Sequence, residues 1–128
     1  MRNCAVLVLA AGLAGCNAAA DIWGPSTPPY ATRFTPDTSY LRMWKEVETC
    51  SGKRGRMDRV TWYVALGDTL AVSKGSLGRW YWPHDIYLAE RVKHDPIAVR
   101  HEILHDLLRS GKHPVEYFER RCGDLVVY

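Results

Sequence analysis

Apolar positions along this chain change their period several times, and each change predicts an element. Tyr40, Leu41, Trp44 and Val47 recur at helical spacing. Thr35 can cap that helix with Pro36 at its first position, and Ser51-Gly52 should end it, leaving Cys50 in the last turn. The basic run Gly52 to Arg56 reads as a solvated turn and lacks the glycine spacing of a phosphate-cradling loop. Val60 to Leu66, "VTWYVAL", is β-branched and aromatic enough for a buried strand. After a turn at Gly67-Asp68, "TLAVS" reads as a second strand, "KGSLG" as a loop, and Ile86 to Ala89 as a third strand. Pro83 and Asp85 argue against extending the third strand back through the aromatic cluster Trp80-Tyr81-Trp82.

The period returns to that of a helix at Asp95-Pro96, another cap followed by proline, and Ser110-Gly111 should stop it. At 100° per residue, Ile97, Val99, Ile103, Leu104, Leu107 and Leu108 form one broad arc. His101 and His105 stand side by side at its edge, with Glu102 just beyond. Arg100 falls inside the arc, where only snorkelling accounts for it. Pro114 should start a short helix with Val115, Phe118 and Cys122 on one face. These elements predict an α+β fold: a small, mostly antiparallel sheet packed with an N-terminal helix, the His101–His105 helix and a short C-terminal helix. No internal repeat appears.

The chain has 128 residues and a net charge of +3, a balance that points to no nucleic acid. Arg2 and the apolar run Ala5 to Leu13 read as a secretory signal, too short for a permanent membrane span. The run ends in Leu13-Ala14-Gly15-Cys16, which resembles the lipobox of bacterial lipoproteins. That resemblance implies a signal peptide over 1–15, lipid on Cys16 and a cell-envelope location with the membrane as partner. Asn17 favours the outer membrane, facing the periplasm. Residues 16–34, rich in Ala, Pro, Ser and Thr, read as a flexible tether in which Trp23 and Tyr30 could dock on the domain or the lipid interface. The folded domain is then expected over 35–128. Of four cysteines, Cys50 and Cys122 remain for one disulfide between the first and last helices. Closing so long a loop stabilises by about 4 kcal/mol in the chain-entropy model.

Residues His101-Glu102-Ile103-Leu104-His105 match H-E-x-x-H. Residues four apart share one helix face, so two imidazoles can meet at one metal while the glutamate reaches a water beside it. Here the chain resembles the zincin metallopeptidases. The resemblance implies Zn2+ on His101 and His105, Glu102 as the base activating a zinc-bound water, and a peptide or protein substrate. It also likens Ile86 to Ala89 to the edge strand along which zincins lay an extended substrate. The chain departs from the metzincin pattern H-E-x-x-H-x-x-G-x-x-H, because Gly111 and His113 both come later. His113 is the preferred third ligand, with Gly111 supplying the turn that brings it back. Glu119 is the alternative, as in a gluzincin. Tyr117 is a candidate oxyanion stabiliser or a packed tyrosine; Asp106 orients a ligand or is a solvated charge; His84 and His94 read as structural or surface. A zinc peptidase at the cell envelope is the leading expectation. A non-catalytic lipoprotein with a structural zinc, closed by His101, His105, His113 and Glu119, and a metal-free lipid-anchored binding module remain as alternatives.

Overall fold

The computed structural model describes residues 31–67, 70 and 75–128. The signal segment, Cys16, Trp23, Tyr30 and most of "TLAVS" lie outside the described residues. Strands β1 (Ala31–Phe34), β2 (Thr61–Ala65), β3 (Gly78–Tyr81) and β4 (Asp85–Ala89) form one mixed sheet in the order β1-β2-β4-β3. β1–β2 and β3–β4 are antiparallel, and β2–β4 is parallel. Helices α1 (Thr38–Ser51) and α2 (Pro96–Leu108) follow the expected order, and a π-helical turn, Glu116–Arg121, leads into the short α3 (Gly123–Val126). The fold is α+β, as the pattern predicts.

Several boundaries move for local reasons. Ala31–Phe34 fall in the stretch that composition assigns to the tether, yet they pair residue by residue with β2. Phe34 explains this, because its ring packs 5.8 Å from Tyr40 and 6.3 Å from Trp62. Asp37, not Thr35, caps α1, accepting the Ser39 N–H at 2.8 Å. Met43 is buried where Leu41 was expected, and Leu41 is 51% exposed. Gly52 ends α1 in the left-handed conformation at φ 71°, its N–H donating to the Glu48 carbonyl at 3.0 Å. The basic turn that follows is exposed, as expected, although its backbone approaches the helices at one point. A Cβ on Gly55 would lie 2.6 Å from Leu107 and 3.0 Å from Trp44, so the turn packs closely on α1 and α2.

β4 is interior and buried on both faces, from Ile86 to Ala89. Ile86, Leu88, Trp62 and Trp80 face the helices in the main core with Trp44, Val47, Val99, Ile103 and Leu104. Tyr87 and Ala89 face the other way, where Tyr63 stacks on Tyr87 at 4.5 Å. The outer strand on this side is β3, which the sequence pattern hides. Leu70 makes an isolated bridge to Ser76 just before it. Arg100, the polar residue in the apolar arc of α2, reaches α1 and donates to Glu46 at 2.7 Å. Cys50 at the end of α1 forms a disulfide with Cys122, joining the first helix to the C-terminal segment as expected. Among the described residues no helix is long and apolar enough to cross a membrane.

Candidate metal centre

The helix α2 begins at Pro96, with Asp95 accepting the N–H groups of Ile97 and Ala98 at 2.9 and 3.1 Å. It is buried on more than its apolar arc. Glu102, His105 and Asp106 are also buried, at 5%, 5% and 4% exposure, so α2 carries a polar face into the interior. Buried polar groups persist only where partners or chemistry require them.

His101 and His105 stand one turn apart, and the chain then reverses sharply. Arg109, in the left-handed conformation at φ 53°, caps α2 two residues earlier than the Gly111 turn expected from sequence. This early stop lets His113 return to the helix. Its Nε2 lies 3.0 Å from His101 Nε2, which in turn lies 3.2 Å from His105 Nε2. The three residues are close enough to hold a metal ion. Two nitrogen ligands about 2.0–2.1 Å from one tetrahedral zinc are about 3.3 Å apart, so the spacing fits.

Proton placement strengthens that fit. His101 Nδ1–H donates to the Val126 carbonyl at 3.0 Å, and His105 Nδ1–H donates to the Ser110 carbonyl at 2.7 Å. A carbonyl oxygen only accepts, so in the neutral rings both Nε2 atoms carry bare lone pairs. Those lone pairs face each other with no proton to share, an arrangement a cation between them relieves. Backbone carbonyls behind the ligating rings are also the usual means of fixing a histidine's tautomer and raising its basicity. Burial, followed by the neighbouring imidazoles, holds both rings below the ordinary histidine range, His105 down to about 4. They are therefore neutral, and ready to ligate, at neutral pH.

Glu119, the alternative ligand, is exposed and outside the cluster. Phe118, in the π-helical turn, is the residue that faces the histidines. Phe118 is 3% exposed, and its ring lies 5.0, 4.8 and 4.6 Å from the rings of His101, His105 and His113.

Glu102 faces β3. A Cβ on Gly78 would lie 2.7 Å from Glu102 Oε1 and 2.8 Å from its Cγ, so only glycine leaves this carboxylate its position. The Trp80 backbone N–H donates to the same carboxylate. Oε2 is buried with no hydrogen-bond partner among the described residues. Burial pushes this carboxyl up to about 8, against the opposing pull of Arg79 and the Trp80 N–H.

These groups line a cleft of about 410 Å³ between β3, α2 and the His113 turn, with Arg79, Trp82 and Tyr128 also in its walls. No family model, curated protein or solved structure matches the chain.

Other candidates settle elsewhere. Asp106 is neither a ligand's support nor solvated: it accepts the Trp80 indole N–H at 2.8 Å and His84 Nδ1–H at 3.0 Å, tying β3 to α2. His84 is thus structural, and its Nε2 accepts from Arg109 at 3.2 Å. His94 is exposed. Tyr117 lies under Lys53 and Arg121, 5.3 and 5.7 Å from its ring centre, and does not line the cleft. The likeness of Ile86–Ala89 to an edge strand is corrected by the strand order, because β4 is interior and β3 is the edge beside the cleft. Sequence reasoning missed Gly78 and Phe118; a glycine inside a short strand is a signal of close approach that could have flagged the first.

Proposed function

We propose that this protein is a zinc-dependent hydrolase of peptides, held at the bacterial cell envelope by lipid on Cys16. The observation that carries the reading is the meeting of three histidine Nε2 atoms and a buried, half-partnered glutamate in one cleft beside the outer strand β3. Zinc bound by His101, His105 and His113 would supply a Lewis acid that polarises a carbonyl and acidifies water.

The chain's own residues do the rest. Nδ1–H bonds to Ser110 and Val126 keep two ligand rings in the tautomer that binds metal. Glu102, in the wall of the cleft, receives the proton of the attacking water on its carboxylate and returns it to the leaving amine. Its elevated pKa suits a group that must both take and give that proton near neutrality. An extended peptide would pair along β3, the outermost named strand on the side of the cleft. The closed four-ligand alternative loses support, because Glu119 stands outside the cluster and Phe118 fills that side. The lipid anchor and an outer-membrane position facing the periplasm belong to this proposal on the strength of Leu13-Ala14-Gly15-Cys16.

Zinc content and peptide cleavage in wild type, His101→Ala and Glu102→Gln test the reading. We expect one zinc per chain in wild type, little in His101→Ala, and full zinc without cleavage in Glu102→Gln. Full zinc in His101→Ala sinks the site, and unchanged cleavage in Glu102→Gln sinks the mechanism.

A further inference from the structure

The C-terminal segment does more than close the core, and its chemistry can be tested without knowing the substrate. His113 enters the cluster at one end of this segment, and Cys122 fixes the other end to α1 through the disulfide with Cys50. Between them the backbone widens into a π-helical turn, with the Cys122 N–H donating to the Tyr117 carbonyl at 3.0 Å. π-Turns are rare and recur at functional sites, where the extra residue redirects a side chain. Phe118 is the buried side chain of this turn.

We propose that Phe118 is a positioning residue of the metal centre, acting as a flat wall that holds all three imidazoles with their Nε2 atoms converged. The inference rests on the reading of His101, His105 and His113 as metal ligands. Among the described residues Phe118 is the one side chain outside the cluster whose ring meets all three histidine rings, at 4.6–5.0 Å. It is buried, and it does not line the cleft, so it backs the ligands from the side opposite the substrate. Each imidazole has a free torsion about its ring axis unless something fixes the plane. His101 and His105 have their backbone carbonyls for this. His113 is exposed, and its contact with Phe118 is the shortest of the three. Loss of a flat wall should therefore disorder His113 first. Residues supporting metal ligands from behind typically contribute 10–100-fold to metal affinity.

The test replaces Phe118 with Leu, which keeps apolar volume but removes the plane, and compares it with Val99→Ala. Val99 is fully buried in the same core and has none of these ring contacts, so its variant reports general destabilisation alone. Each protein is purified metal-free and titrated with Zn2+ against a chromophoric chelator, and with Co2+ for its visible spectrum; melting is followed on the apo form. We expect roughly tenfold or greater loss of affinity and a weakened Co2+ band in Phe118→Leu. Val99→Ala should lower the melting temperature at unchanged affinity. An unchanged affinity and spectrum in a folded Phe118→Leu overturns the proposal, as does a loss that Val99→Ala reproduces at equal melting temperature. Wild type that takes up neither metal overturns the ligand assignment itself, a failure distinct from a metal-binding protein that cleaves no peptide.

Discussion

Two buried glutamates show how the same residue serves opposite ends in one small domain. Glu48 on α1 is 2% exposed and fully engaged: it accepts from Lys45 at 2.8 Å, from Arg54 at 3.3 Å and from the Gly55 N–H at 3.1 Å. Burial acts to raise its pKa, but these donors overcome it and hold the carboxyl at about 2. Glu102 on α2 is also shielded from solvent but lies far deeper, keeps one oxygen without a partner among the described residues, and rises to about 8. Both are shielded from solvent, but Glu48 sits near the surface beside the exposed Lys45 and Arg54 while Glu102 is enclosed, so depth of burial and the supply of donors together decide the outcome. Glu48 is a permanently charged tie between α1 and the basic turn, whereas Glu102 is left able to exchange a proton.

The comparison breaks most visibly in the metal-free protein. A Glu102 carboxyl raised above its unfolded value stabilises the fold only while protonated, and that contribution is lost as pH rises through the folded pKa of about 8. Metal-free Glu102→Gln should therefore be more stable than wild type by on the order of 3 kcal/mol at pH 7, converging with it below about pH 4.5. Denaturant melts at both pH values would show this; equal stability at pH 7 would remove the contrast. Glu48 carries the opposite sign. Its depressed pKa gives stability that is complete above its unfolded value and lost as pH falls toward about 2. Glu48→Gln should cost about 2 kcal/mol at pH 7, allowing for screening at the exposed Lys45 and Arg54, and much less at pH 2–3. Gly78→Ala sharpens the comparison at the smallest scale. Its Cβ would displace the Glu102 carboxylate without touching the histidines, so zinc uptake should stay at wild-type level while cleavage falls roughly tenfold. Loss of zinc in this variant would show that β3 supports the ligands as well as the base.

Much of this centre was legible because it depends on local spacing. Asp95-Pro96 marked the start of α2, and His101, Glu102 and His105 follow from helix geometry alone. His113 was preferred for its position after a tight turn, although the turn is made by Arg109 and not by Gly111. What stayed hidden depends on contacts between distant segments. β3 escaped notice because Gly78 looks like loop until Glu102 is seen pressing on it. Glu119 stayed open as a ligand because nothing in the sequence announces a π-helical register. Asp106 looked like surface charge because its partners, Trp80 and His84, lie more than twenty residues earlier.

The left-handed Arg109 carries a consequence for recognising kindred chains. By halting α2 at Leu108, it fixes how much chain can stand between the second and third histidines. That interval is seven residues, two more than in H-E-x-x-H-x-x-G-x-x-H, and its reversal comes at the fourth residue after His105, not the third. A search template demanding glycine at the shorter spacing would pass over this chain. One written as H-E-x-x-H followed by seven free positions and a histidine would find it, and with it any relative whose helix stops by the same device.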